Sequence, residues 1–318
     1  FGSRQSALAL TQTNQVIDAL RQLSEAAGIA CDFVVKKIVT KGDIILDVTL
    51  SKVGGKGLFV KEIEQALLNG EIDMAVHSMK DVPSERQEGL VIAATPKRKD
   101  PRDCVITRDH RTLDELPIGA RIGTSSLRRM AQLKAYRPDF IVESIRGNID
   151  SRINKLETEG LDAILLATAG LERMGWENRI SERLSPEMCL PAVAQGALGI
   201  ECREDDDFML NLLGRYNDTP TFMTVLAERA FLRRLNGGCQ VPIGAFAAFE
   251  EALIEPNEVP ADAVMKLTGL VGWPDGSGII KESLRGTDPE QLGTALADQL
   301  IALGAGELLE AVGSETQV

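Results

Sequence analysis

Apolar and polar positions change rhythm repeatedly along this chain, and each rhythm predicts an element. Residues 7–20 carry helical spacing behind a polar Ser3-Arg4-Gln5-Ser6 lead, and residues 58–68 repeat that spacing. Residues 33–40 read as a strand, and the compact apolar runs 72–77 and 90–94 as buried strands. Residues 95–101 are charged and bounded by prolines, which predicts a crossover where one unit ends. The pattern then restarts, with short strands at 104–107, 120–123, 140–143 and 163–167 and helices at 126–135 and 149–159 between them. Two α/β units joined in this way predict two lobes around a cleft, with ligands at the carboxyl ends of strands.

A third unit starts near Asp218-Thr219-Pro220 with a helix over 221–235. The alternation at 263–271 and the turn at 274–278 predict antiparallel strands and their connection. Thr287 or Asp288, with Pro289 at the first helical position, caps a helix carrying Leu292, Leu296 and Leu300. This unit reads as a small α+β domain with Cys239 in the loop after its first helix.

At 318 residues the chain has room for two or three domains, and its 44% apolar and 26% charged content is that of a soluble globular protein. A net charge of −12 and 4% aromatic content argue against nucleic acid as the main partner. No apolar run is long enough for a membrane span, and no basic-then-apolar leader is present; a short stretch upstream of Phe1 is expected. Five dispersed cysteines point to reduced thiols in a cytoplasm, and with two histidines no metal site is expected. Arginine, however, is concentrated at 121, 128, 129, 137, 146, 152, 173, 179 and 183. In an acidic protein that concentration suggests an anionic small molecule held in a cleft, each arginine having a surface ion pair as its alternative.

Chemistry-bearing residues fall at the ends of these elements. Cys239 lies in Asn236-Gly237-Gly238-Cys239-Gln240-Val241-Pro242 behind Arg233 and Arg234, a tight loop that suits a covalent handle. Asp81 follows a buried strand within His77-Ser78-Met79-Lys80-Asp81-Val82-Pro83, where a carboxylate can stabilise a cation or simply cap the next turn. His77 is either a general base or a structural histidine. Gly123-Thr124-Ser125-Ser126-Leu127-Arg128-Arg129 is a strand-to-helix junction built for an anion, or for plain N-capping. Arg146-Gly147 with Arg152, and Arg173 after Gly170, repeat the theme. Lys52-Val53-Gly54-Gly55-Lys56-Gly57 lacks phosphate-loop spacing and reads as a mobile basic lid.

Together these stretches, with 190–197 and 235–244, closely resemble the porphobilinogen deaminase (hydroxymethylbilane synthase) family over most of the chain. The resemblance implies two lobes like type-II periplasmic binding proteins, each with a mixed sheet, plus a small C-terminal α+β domain carrying the cofactor cysteine. It implies domain 1 at 1–96 completed by 197–215, domain 2 at 97–196 and domain 3 at 216–318. It implies a dipyrromethane cofactor joined to Cys239 as a thioether, onto which four porphobilinogen units are added with loss of ammonia before hydroxymethylbilane is hydrolysed off. Asp81 would be catalytic. Cofactor contacts would come from Asp81, Ser78, Lys80, Thr124, Ser125, Ser126, Arg128, Arg129, Arg146 and Gly147. Substrate would meet Arg4, Ser6, Arg146, Arg152, Arg173 and Gln195, beneath a mobile loop bearing Lys52 and Lys56. A cytoplasmic monomer acting on a small molecule, without nucleic acid or membrane, is expected. The competing readings are a non-enzymatic two-lobed anion-binding protein and a thiol acyltransferase or hydrolase using Cys239 with His77.

Overall fold

The computed structural model describes residues 1–44, 57–236, 241–251 and 258–315. Thirteen strands are named here in chain order among them. They are β1 (Gly2–Ser3), β2 (Lys36–Lys37), β3 (Met74–Ser78), β4 (Leu90–Ala94), β5 (Asp103–Thr107), β6 (Arg121–Gly123), β7 (Ile141–Glu143), β8 (Ala163–Ala167), β9 (Glu182–Arg183), β10 (Leu198–Arg203), β11 (Ile243–Phe249), β12 (Met265–Gly272) and β13 (Ile279–Gly286).

The first sheet has the order β2-β1-β3-β10-β4 and the second β7-β6-β8-β5-β9. Both follow one plan: β1 runs parallel to β2 and β3, as β6 does to β7 and β8. The fourth strand is antiparallel in each, β10 in the first and β5 in the second. Each of these antiparallel strands is delivered by the chain as it arrives from the other sheet. The chain therefore crosses between the sheets twice, and the two crossings touch: Lys99 N–H donates to Gly196 O at 3.2 Å. Gly196 has φ +88°, and a Cβ there would press on the carbonyl of Lys99, so only glycine fits this contact.

Apolar runs explain the central strands. β5 is buried along its whole length and β8 over its first four residues, as expected when helices cover both faces of a sheet. Two apolar clusters lie against the second sheet, one around Phe140 and Leu133, the other around Ile145 and Leu156. The helix Ala7–Ala26, capped by Ser6, lays Val16, Ile17 and Leu20 on the first sheet.

The third sheet is an antiparallel meander β11-β12-β13. It is covered by the helices Thr219–Arg234 and Pro289–Ala302, whose caps are Asp218 and Asp288. Its core does not stop at its own elements. Met79, Val193, Ala194 and Ala197 join Phe231, Leu267 and Leu296 in one cluster. No single helix among the described residues is long and apolar enough to cross a membrane.

One element differs from expectation. Of residues 33–40 only Lys36 and Lys37 pair as a strand, with Gly2 and Ser3. Hydrogen bonds from the Phe1 ammonium to Val34 O and from Ile38 N–H to Ser3 O, both 2.8 Å, extend the pairing on either side, while Phe33 and Val35 pack on the core beside the helix Ala7–Ala26.

Candidate active site: a cationic cleft between the lobes

β3 carries the chain to Ser78, and a short 3-10 turn, Met79–Asp81, follows at once. This turn is held from three sides. Met79 is buried in the third unit's core and its N–H donates to Ala197 O at 3.1 Å. Arg229, from the helix Thr219–Arg234, donates to Val82 O at 3.1 Å and Pro83 O at 2.6 Å. Buried Gln12 donates to Ser78 Oγ at 3.1 Å, a partnership with no sequence signal except that Gln12 sits on the inner side of its helix. Gly199 on β10 is required beside Met79, because a Cβ there would overlap its sulfur. The turn presents Lys80 and Asp81. Burial pushes the Lys80 ammonium down to about 8, with Asp81 and Asp103 opposing and Arg129 and Arg128 assisting.

His77 points elsewhere. Its Nε2 lies 2.9 Å from Glu201 Oε2, and both side chains are buried within the first sheet. That is a structural pairing, and the acyltransferase reading loses its base.

In the second lobe the hydroxyls of the β6 junction are committed to local turns. Thr124 Oγ1 accepts from Ser126 N–H at 3.2 Å, and Ser126 Oγ caps the helix Leu127–Tyr136 by accepting from Arg129 N–H at 3.4 Å. Ser125 Oγ donates to Ile145 O and shares a hydrogen with Ser144. Arg128 and Arg129 are almost fully buried and both grip Asp103, the first residue of β5. Arg128 Nη1 lies 2.6 Å from Oδ2 and Arg129 Nη2 2.7 Å from Oδ1. Burial favours a neutral Asp103, but the two guanidinium charges outweigh it and hold the carboxyl well below the usual range.

The other arginines are placed differently. Arg146 has a buried Nη1 with no hydrogen-bond partner. Arg152 donates from Nε to Gly147 O at 2.7 Å, and Arg173 from Nη2 to Gly196 O at 2.7 Å. Gly147 has φ +117°, and a Cβ there would overlap Ser151 Oγ. Among the described residues none of Arg146, Arg152 and Arg173 has a carboxylate within ion-pair distance. Burial pushes Arg152 and Arg173 down to about 10, and Arg152 also feels Arg129, Asp81 and Arg146. Asp81 and Lys80 from the first lobe thus share one electrostatic neighbourhood with Arg128, Arg129, Arg146 and Arg152 from the second.

Not every expected site residue faces this neighbourhood with open hydrogen-bonding groups. Arg4 is paired with Asp43 and stacks 4.2 Å over the Phe59 ring. Ser6 caps its helix. Gln195 gives its Nε2 to Pro101 O at 2.8 Å and Asp103 Oδ1 at 2.9 Å, while its Oε1 is buried without a partner. Arg121 and Arg137 form ion pairs with Glu143 and Asp139, so for them the surface alternative holds.

Cys239, Lys52 and Lys56 lie outside the described residues. The flanks of Cys239 are described, and they reach the site. Leu235 and Val241 join the cluster that contains Met79. Gly244, at the start of β11, is so close to Arg128 that a Cβ there would lie 3.3 Å from its Cδ. Arg233 and Arg234 pair with Glu290 at 3.2 Å and Asp298 at 2.6 Å. Sequence reading missed Asp103, Asp43 and Glu228, isolated acids whose arginine partners lie far along the chain.

Desolvated cations without counter-charges fit a ligand with several carboxylates, each supplying what Arg146 Nη1 lacks. Fold and site together define a two-lobed α/β protein that brings a carboxylate and several arginines of the two lobes into one electrostatic neighbourhood, with a cysteine-bearing third unit. The family described as porphobilinogen deaminase, dipyromethane cofactor binding domain, matches residues 1–211, and the porphobilinogen deaminase C-terminal domain matches residues 222–302. The chain belongs to the porphobilinogen deaminase family, whose members are transferases, and the first matched region is the one that binds the dipyrromethane cofactor. It is 59% identical to the porphobilinogen deaminase of Paenibacillus macerans, over 95% of this chain and 96% of that protein. It is equally 59% identical to that of Halalkalibacterium halodurans, over 100% and 98%. A putative methionine-binding lipoprotein of Bacillus subtilis superposes with a TM-score of 0.40 at 12% identity, over 68% of this chain and 88% of that one, too loosely to carry an argument.

Proposed function

We propose that this chain condenses four porphobilinogen molecules with loss of ammonia and releases hydroxymethylbilane by hydrolysis, working as a cytoplasmic monomer. The observation that supports the residue-level reading is the convergence of one carboxylate, Asp81, with Arg152 and Arg146, which have no carboxylate within ion-pair distance among the described residues. The dipyrromethane, held through Cys239, supplies the pyrrole carbon at which the chain grows. Lys80, Arg128, Arg129 and Arg146 hold its acetate and propionate groups, with Ser78, Thr124, Ser125, Ser126 and Gly147 shaping the backbone around them. Arg152, Arg173 and Arg146 receive the carboxylates of incoming substrate. Arg4 and Ser6 join them at the first lobe, where Arg4 exchanges Asp43 for a substrate carboxylate. Gln195 offers its unpartnered Oε1 to a ligand N–H. Asp81 faces the positive charge that develops on pyrrole nitrogen as ammonia leaves, and accepts the proton lost at the end of each condensation. Lys52 and Lys56 cover the cleft.

The same reading divides the chain into 1–96 completed by 197–215, 97–196 and 216–318. The place of β10 in the first sheet supports this division.

Asp81→Ala is expected to lower ammonia release from porphobilinogen by about a hundredfold or more while the protein stays folded. His77→Gln is expected to lower the melting temperature and leave turnover of the folded protein near normal. Near-normal ammonia release from Asp81→Ala would sink the assignment, and loss of turnover in well-folded His77→Gln would restore the acyltransferase reading.

A further inference from the structure

The turn Met79–Asp81 spans three residues and closes on itself through Val82 N–H, which donates to Met79 O at 3.2 Å. A 3-10 turn this short has little rigidity of its own, so its shape depends on what grips its ends. Upstream, Met79 N–H donates to Ala197 O at 3.1 Å, and the Met79 sulfur fills the space that a Cβ on Gly199 would take. Downstream, the grip comes from the third unit. Arg229 Nη1 donates to Val82 O at 3.1 Å and Nη2 to Pro83 O at 2.6 Å, so one guanidinium bridges the two carbonyls that follow Asp81. A planar fork with a fixed spacing between its nitrogens sets the direction of both peptides together.

The helix that carries Arg229 is itself anchored. The preceding residue, Glu228, is 0% exposed and accepts from Arg98 at 2.6 and 3.1 Å, from Ala194 N–H at 2.6 Å and from Ala247 N–H at 2.9 Å. Arg229 therefore projects from a fixed platform onto the backbone beside Asp81.

We infer that Arg229 is a positioning residue for the proposed reaction: by holding the Val82 and Pro83 carbonyls it sets where the Asp81 carboxylate meets the reacting pyrrole, and it acts on the ligand through Asp81. The inference rests on the reading of Asp81 as the catalytic carboxylate. Releasing the two carbonyls frees the backbone on one side of Asp81 while Met79 stays held on the other. A reacting group displaced by about 1 Å costs about a hundredfold in rate. The loss therefore falls on kcat, with KM nearly unchanged. A residue that served stability alone would leave both constants of the folded protein where they were.

The test measures kcat and KM for ammonia release from porphobilinogen on the full-length, cofactor-bearing protein, with folding checked by circular dichroism. Arg229→Met keeps the length of the stem and removes the donors. It is expected to lower kcat at least about tenfold and to change KM by less than about twofold. Arg229→Lys keeps the positive charge and brings one nitrogen where arginine brings two, so its kcat is expected between the two, about three- to fivefold below the parent. Should Arg229→Met fail to fold, Arg229→Lys decides: a kcat equal to the parent's overturns the inference. A folded Arg229→Met with kcat within about twofold of the parent, or with its loss confined to KM, also overturns it and leaves the Asp81 reading intact. Equal losses in the lysine and methionine variants overturn it as well, since the carbonyl contacts would then not be what matters. Near-normal ammonia release from Asp81→Ala overturns the reading of Asp81, and the inference with it.

Discussion

Arg146 and Arg128 are both cleft arginines, yet their surroundings give them opposite signatures. Arg128 is locked to Asp103 and Leu190 O, so its removal leaves a buried carboxylate short of a partner. Breaking such a pair costs about 3–5 kcal/mol. Arg146 Nη1 makes no bond within the protein, so its truncation removes nothing that holds the fold. Arg146→Gln is expected to change stability by about 0.5 kcal/mol or less but to weaken cofactor loading or turnover at least about tenfold. Arg128→Gln is expected to lower stability by the larger amount. Urea unfolding and kcat/KM, measured on both variants, check this; equal stability losses would refute the distinction. Asp103 also gives the protein a pH signature. Its folded pKa lies below the ordinary unfolded value near 4, so the stability it contributes is full above that value and is lost as pH falls through the folded one. At this scale the sequence showed which residue types gather at strand ends, but not their partners. Arg128 and Arg129 were legible as an anion-binding pair. That a lone acid some 25 residues upstream holds both was not, because an isolated Asp before an apolar run carries no spacing signal.

The elements that place the site are held by contacts between segments far apart in the chain. Glu228, 0% exposed on the helix Thr219–Arg234, shows this most fully. It accepts from Arg98 at 2.6 and 3.1 Å, from Ala194 N–H at 2.6 Å and from Ala247 N–H at 2.9 Å. It thus joins one inter-lobe crossing, the approach to the other, and β11 of the third unit. Glu228→Gln keeps the shape but leaves the largely buried Arg98 side chain without its counter-charge. The expected loss is about 3–5 kcal/mol, seen as a lower melting temperature with the secondary-structure spectrum preserved. An unchanged melting temperature would show that the three segments are held by apolar packing alone. In the sequence this helix was clear from Asp218 and Pro220, whereas Glu228 looked like any solvent-facing glutamate. The apolar runs of β3, β5 and β8 were legible for the same reason that they are buried. The membership of β10 in the first sheet was not, since local pattern carries no record of pairing across a hundred intervening residues; only the resemblance implied it.

For the whole molecule the notable fact is a mismatch of charge. The chain is net −12, yet Arg146 and Arg152 lie beside Asp81 and Arg129 with no carboxylate at ion-pair distance among the described residues. An acidic surface with a desolvated cationic interior favours a ligand that arrives with several carboxylates and displaces little else. Two lobes built on one strand plan and joined by touching crossings supply the walls. The third unit takes Met79 into its own core together with Leu235 and Val241, the described residues on either side of the Cys239 segment. The proposed chemistry therefore requires Cys239 to hold a permanent ligand made from substrate. Intact-mass measurement of freshly expressed protein, followed by peptide mapping, tests this most directly. The prediction is a polypeptide heavier by two deaminated porphobilinogen units, the added mass lying on the Cys239 peptide and missing from Cys239→Ser. A freshly expressed polypeptide of unmodified mass, or an adduct that persists in Cys239→Ser, would contradict it.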